Sequence, residues 1–396
     1  VTVATRPEIP ADRYAARLER VRGALRSAGA AGLLAGAGPE LRYLTGYAAP
    51  LLERLTMLVV PADGRPTLLA PRLEAMRGEA APAAAAGYAG VAAWDETDDP
   101  YALAIQALAT RPEGMPGTRA GQPDSRVLVS GNLWATHVLE LQRRLPDRAF
   151  GLAAEVLRHL RMAKDDDEVG LLRLAAEAAD RALAGITAGP LVGRTEADVS
   201  REIRDRLVAE GHDEASFAIV GSGPNSASPH HEPGERRIQP GEAVVLDIGG
   251  MLGGYGSDVT RTIWVAGRDR QVDPDPAFTE IHELVRQANA AAVATVRPGV
   301  RCEAVDAAAR DVITAAGHGA EFIHRVGHGI GLETHEDPYL VGGNVDRLVA
   351  GATFSIEPGI YLADRFGVRI EDIVACRDGD PEVLNALPRD AWVVDG

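Results

Sequence analysis

The stretch AVVLDIGGMLGGYGSDVTRT, from Ala243 to Thr262, limits what this chain can become more than any other. Its first limb, Ala243 to Ile248, is rich in Val, Leu and Ile, and its second, Ser257 to Val265, carries Thr, Ile, Trp and Val. A glycine-rich patch separates the limbs, so the spacing predicts a β-hairpin. Each limb holds one aspartate, and a turn centred near Leu252 and Gly253 sets Asp247 opposite Asp258. Side chains directly opposite on a hairpin stand a few ångström apart. Two carboxylates that close repel. A stable fold keeps them by sharing a proton, which raises one pKa, or by placing a cation between them, for which oxygen ligands are suited. The plainer alternative makes one Asp a turn residue and the other a surface charge.

The pattern returns near the C-terminus as FSIEPGIYLADRFGVRIEDIVA, Phe354 to Ala375. Here Glu357 and Glu371 are the paired acids, both inside apolar strand text, in two limbs that flank the turn-forming residues 363–367. An acid inside a strand core needs a partner. Two hairpins that each deliver two carboxylates predict two related half-domains facing one another. Between them lies FIHRVGHGIGLETHEDP, with three histidines and with Gly327, Gly329 and Gly331, which let the backbone approach a ligand and keep neighbouring side chains off His328. A lone histidine beside glycines is more often structural than functional. Four strand-borne acids and one imidazole in a single domain are different: the set is oxygen-rich and suits two divalent ions of the Mn, Co or Fe type, with Zn as an alternative.

At 396 residues the chain is longer than one core usually serves, which predicts two domains. Its formal charge of −16 disfavours nucleic acid and anionic membrane as partners. Cys302 and Cys376 form no CxxC pair, which argues against a disulfide framework and leads to an expected cytoplasmic location. The apolar run Ala28 to Gly38 is short and glycine-rich, unlike a membrane anchor.

Tyr14, Leu18, Val21 and Leu25 recur at helical spacing and predict a helix from Ala11 to Ala28, stopped by Gly29. Short hydrophobic runs at 32–34, 55–60, 67–70 and 126–130, with a helix at 133–144, predict an α/β domain. The Ala-rich stretch Ala80 to Ala93 reads as a loop or surface helix. The charge-dense text LRHLRMAKDDDE, 157–168, reads as an interdomain connection, dividing an N-terminal domain 1–160 from a catalytic domain 161–396. Asp165 to Asp167 cap a helix that runs past Ile186. Another starts at Thr195, with Asp198 in the capping-box position, and stops at Gly211. Two more are expected at Pro276 to Val296 and Glu303 to Ala316.

Asp247, Asp258, His328, Glu357 and Glu371, in the settings LDIGG, SDVTRT, GHGIGLETHE, IEPGIY and VRIEDIV, resemble the dinuclear metallopeptidases of the pita-bread fold. Within that family the chain is most similar to the Xaa-Pro dipeptidases (prolidases) and aminopeptidase P, over Arg161 to Asp378. The resemblance implies an α/β N-terminal domain followed by an α+β pita-bread catalytic domain with two pseudo-symmetric halves. It implies hydrolysis of the Xaa-Pro bond in dipeptides or short peptides by a hydroxide bridging two divalent cations. Manganese is the first expectation, with cobalt or zinc as alternatives.

By the same resemblance Asp247 chelates one ion, Asp258 and Glu371 bridge the pair, and His328 with Glu357 completes the other shell; Glu357 also takes the water's proton. His230, the first His of SGPNSASPHHE, and His335 are the implied substrate-contacting histidines that stabilise the intermediate, while His231 receives no role. Arg369 holds Glu371 and its neighbours, and His324 is a substrate-pocket residue. After HEDP stands Tyr339, where some dipeptidases carry an arginine that helps recognise the substrate carboxylate. Dipeptidase and aminopeptidase P therefore both stay open. The implied partners are a proline-containing di- or oligopeptide and a second copy in a homodimer. Two rival classes share the fold: metal-free amidinohydrolases resembling creatinase, and non-catalytic binding modules. Both tend to lose the ligand residues that all stand here.

Overall fold

The structure is a computed structural model and describes residues 6–109 and 126–395. Residues 1–5 and 110–125 of the expected N-terminal domain, and Gly396, lie outside the described residues. The chain divides into two units, Glu8–Arg161 and the part from Met162 onward, with Arg6 and Pro7 joined to the second.

In the first unit, runs of Leu and Val that are buried along their length pair into one sheet. Its strands are β1 Ala30–Gly36, β2 Met57–Pro61, β3 Thr67–Pro71, β4 Gly90–Trp94, β5 Arg126–Val129 and β6 Phe150–Leu152, in the order β4-β3-β2-β1-β5-β6. The helix Ala11–Ser27 buries Tyr14, Leu18, Val21 and Leu25, and the chain leaves it through Gly29 at φ 63°, the left-handed turn that glycine favours. One expectation is corrected in part. The Ala-rich stretch holds the short helix Pro82–Ala85 but ends in the edge strand β4, pinned by Trp94, whose buried indole donates to the Leu55 carbonyl at 3.0 Å. Tertiary pairing, not local propensity, makes it a strand. The text LRHLRM is helical, the end of the helix Ala154–Met162, which buries Val156 and Leu157 beneath its charges, and the two units divide inside it, between Arg161 and Met162.

The second unit repeats one order of elements: two helices, then an antiparallel sheet. The helix Asp166–Thr187 is closed by a capping box, with Asp165 accepting from Glu168 N at 3.0 Å and Glu168 accepting from Asp165 N at 2.9 Å. The helix Glu196–Ala209 is capped by the Thr195 hydroxyl. These lead into β7 Glu214–Ser222, β8 Glu242–Leu252, β9 Tyr255–Gly256 and β10 Val259–Val265. The helices Pro276–Thr295 and Cys302–Ala315 then lead into β11 Gly327–Gly329, β12 Glu336–Leu340, β13 Thr353–Ile356, β14 Gly359–Leu362, β15 Phe366–Arg369, β16 Asp372–Ala375 and β17 Glu382–Val383. β18, Trp392–Val394, returns to pair with β10 in the first sheet. Each half has its own core, one around Leu183, Ile203, Leu246 and Ile263, the other around Phe278, Val305, Phe354 and Val368.

The register of the first hairpin differs from the expected one. The turn centres on Gly253 and Gly254, both at positive φ (63° and 90°), as a two-residue hairpin turn of this hand requires. Centring it on Leu252 would force a leucine into that region. As a result Asp247 pairs with Thr260, and Asp258 lies diagonal to Asp247 on the same face. The second hairpin is interrupted where the acids sit. β13 pairs with β16 and β14 with β15, leaving Glu357 and Glu371 opposite one another in the gap and not inside the strands. Pro358 has no N–H to carry a ladder across that gap. Instead, Glu371 N donates to the Thr260 carbonyl at 3.1 Å, bridging the two hairpins. One row therefore runs across four strand paths: Asp247, Thr260, Glu371, Glu357.

Candidate active site

That row opens onto a cavity of about 860 Å³ lined by all nine sequence-predicted site residues: His230, Asp247, Asp258, His324, His328, His335, Glu357, Arg369 and Glu371. Directly paired residues project to one face of a sheet. The row thus aims three of the four acids the same way, and the diagonal Asp258 joins them. His328 enters from β11, whose glycines are needed for packing more than for approach to a ligand. A Cβ on Gly327 would meet the Ser355 carbonyl oxygen at 1.9 Å, and one on Gly329 would meet Asp337 at 2.4 Å.

His328 Nδ1 lies 3.2 Å from the Gly329 carbonyl oxygen, so the ring proton sits there and Nε2 presents its lone pair to the acids. Nε2 is 3.3 Å from Glu357 Oε1 and 3.6 Å from Asp258 Oδ2. Burial pushes the His328 pKa down to about 3, which keeps the imidazole neutral at physiological pH. Ligand atoms of Asp258, His328 and Glu371 all lie within 4.8 Å of one another. Asp247 Oδ2 accepts from Arg369 Nη2 at 2.5 Å, whereas its Oδ1 is buried with no hydrogen-bond partner among the described residues.

Burial, then the charges of Glu371, Asp247 and Glu357, raises the Asp258 pKa well above the usual carboxylate range. Burial, then Glu357 and Asp247, does the same to Glu371. Glu357 is pushed up to about 7, again by burial first. These directions fit a divalent metal pair. Four clustered carboxylates against the buried Arg369 leave three negative charges, which two dications and one hydroxide bring to zero. The orphaned Asp247 oxygen is a further open ligand.

The same shifts set a pH dependence. A carboxyl whose folded pKa exceeds its unfolded one contributes stability that is fully present below the unfolded value and is lost as pH rises through the folded value. For Glu357 that window runs from 4.5 to about 7. Bound ions keep the carboxylates ionised and remove the trend. The Tm difference between metal-saturated and metal-stripped protein is therefore expected to widen across that window by scanning calorimetry. A constant difference would contradict the buried acid cluster.

The histidines divide. His335 stacks edge-on against His328, ring centroids 4.0 Å apart, and burial lowers its pKa. His324 is committed on both nitrogens: Nδ1 to the Arg325 carbonyl oxygen at 2.7 Å and Nε2 to the Tyr361 hydroxyl at 2.9 Å. That hydroxyl in turn accepts from Arg369 Nη1 at 2.8 Å. His324 therefore lines the cavity while anchoring Tyr361.

Several contributors carry no mark in the sequence. Tyr361 sits in the motif IEPGIY, where a tyrosine in strand text looks ordinary. Thr260 donates to Glu371 Oε2 at 2.5 Å and accepts from Arg369 Nε at 3.2 Å. Glu196, fully buried, accepts from Ser222 N and Oγ (2.8 and 2.7 Å) and from Asn225 Nδ2 (3.0 Å), and lies 2.7 Å from His231 Nε2. It fastens the segment that carries His230, and gives His231 a structural place. The signal available was its position, one residue after the Thr195 cap, where an acid is expected at a helix start for other reasons.

The model of metallopeptidase family M24 matches residues 170–378, and that of the creatinase/prolidase N-terminal domain matches residues 17–163. The chain belongs to metallopeptidase family M24. A probable dipeptidase PepE of Mycobacterium tuberculosis is 44% identical over 97% of this chain and 97% of its own. Among solved structures, dipeptidase PepE from Mycobacterium ulcerans is 43% identical, with a TM-score of 0.88 over 98% of this chain and 100% of the other. A recombinant prolidase from Thermococcus sibiricus is 33% identical, with a TM-score of 0.86 and the same coverage. This M24 chain thus has the expected architecture, an α/β N-terminal domain followed by a pita-bread catalytic domain, and is a metallopeptidase.

Proposed function

We propose that this M24 metallopeptidase is an Xaa-Pro dipeptidase, hydrolysing the bond between a first residue and proline in dipeptides or short peptides. The observation that carries the reading is the convergence of four buried acids and a neutral imidazole on one cavity, with an Asp247 oxygen left open. Asp247 would hold one divalent ion, Asp258 and Glu371 both, and His328 with Glu357 the other. When bound, the ions lower the pKa of water and polarise the scissile carbonyl.

The rest falls to the protein. Glu357 takes the proton of the attacking water at its carboxylate oxygen, and the proline nitrogen, leaving as a secondary amine, must receive one. His230 and His335 donate hydrogen bonds to the developing oxyanion. Arg369 fixes Asp247 and, through Tyr361, His324. Manganese is the proposed metal, with cobalt or zinc as alternatives, and the proposed setting is the cytoplasm as a homodimer. No described helix is long and apolar enough to cross a membrane.

Chelation is expected to abolish hydrolysis of Ala-Pro, and added Mn²⁺ or Co²⁺ to restore it; full activity in metal-stripped protein would overturn the metal roles. Tyr339 favours a second reading, an aminopeptidase P that trims longer Xaa-Pro peptides. Parallel assays on Xaa-Pro-Yaa tripeptides separate the two. A creatinase-like amidinohydrolase or a non-catalytic module is disfavoured by the five ligand candidates standing together.

A further inference from the structure

The cavity has an acidic floor and, on its wall, a cation that the chemistry above leaves unused. Arg325 lines the same cavity as the acids and is half-buried. Its guanidinium carbon lies 4.6 Å from the centroid of the Tyr339 ring. Among the described residues its side chain makes no ion pair or hydrogen bond. Arg369, by contrast, is spent on Asp247, Tyr361, Thr260 and the Pro229 carbonyl.

A guanidinium resting on a ring by its face keeps its N–H edge free for a planar acceptor. Tyr339 is a fixed support, because it pairs directly with His328 across β11 and β12. The arginine is also near the chemistry, since it lines one cavity with His328 and His335. Apolar Ile323 and Val341, both exposed, flank it on the cavity wall.

A peptide entering this cavity displaces water from that wall. If the chain continues past the residue after the scissile bond, a neutral amide follows and the cation is desolvated without a counter-charge, which is costly. If the substrate ends there, a carboxylate offers two oxygens to the free fork. We propose that Arg325, steadied by Tyr339, pairs with the free C-terminal carboxylate of the substrate and so selects dipeptides over longer peptides. The inference rests on the Xaa-Pro dipeptidase reading and names its specificity residue.

The test compares Ala-Pro with Ala-Pro amide on manganese-loaded wild type, Arg325→Met and Arg325→Lys. Wild type is expected to prefer the acid, and Arg325→Met to lose about 10- to 100-fold in kcat/KM on the acid, the size of one charge-assisted contact. The same variant should change little on the amide, and Arg325→Lys should recover part of the preference. Equal losses on both substrates, or a wild type indifferent to the terminus, would overturn the inference while leaving the dipeptidase reading intact. Cleavage of neither substrate by wild type would overturn both.

Discussion

Asp258→Ala will lower bound metal from the proposed two ions per chain to one or fewer and reduce kcat/KM on Xaa-Pro dipeptides by about 10³-fold or more, several kcal/mol of lost charge stabilisation. Asp258 Oδ2 completes the three-ligand group with His328 and Glu371, all within 4.8 Å, so its loss opens the centre of the site and not its rim. Misfolding is separable from this outcome. Without metal the variant should be no less stable than metal-stripped wild type at pH 8, because the substitution removes a carboxyl whose ionised form burial and three neighbouring acids already oppose. Elemental analysis with thermal melts of both stripped proteins reads the two effects. Unchanged metal content would contradict the role given to Asp258.

Arg369→Met is expected to give the largest loss of stability, about 3–5 kcal/mol in metal-stripped protein at pH 8, the usual cost of leaving a buried charge unpaired. Arg369 is 2% exposed and donates to four acceptors drawn from both hairpins and from the segment before His230. Removing it leaves the Asp247 carboxylate with neither oxygen paired, since Oδ1 is already an orphan. The deficit should shrink toward acid pH, where the clustered carboxyls take up protons and need no countercharge. Arg369→Lys should restore little, because a single ammonium cannot reproduce a planar fork that reaches four partners. Urea unfolding across pH checks this, and a deficit independent of pH would point to lost packing alone.

Much of the site is legible in the sequence because acids inside apolar strand text are costly and therefore conspicuous. Asp247, Asp258, Glu357 and Glu371 stand out that way, and all line one cavity. The hairpins are legible from their turns, but the pairing is not. Leu252-Gly253 and Gly253-Gly254 look alike as turn centres until the demand for two positive φ values decides for the latter. The break at Glu357 is written in Pro358, which is easily read as a turn residue and hard to read as the end of a ladder. Thr260, Tyr361 and Arg325 carry no such mark. A threonine, tyrosine or arginine in a strand or loop is commonplace, and only the fold shows what each one faces. Strand β4 is hidden for a related reason, since its Gly and Ala residues gain their conformation from β3 alongside.

The row Asp247, Thr260, Glu371, Glu357 is drawn from two hairpins, and its middle link, from Thr260 to Glu371 at a separation of 111 residues, is a single backbone bridge between two separately cored halves. No ligand pair can be complete while either half is still forming. Contacts this distant along the chain carry a large loop-closure cost and slow folding. Ions held by this row would consequently act as a seam, fastening the two halves along the line where they meet.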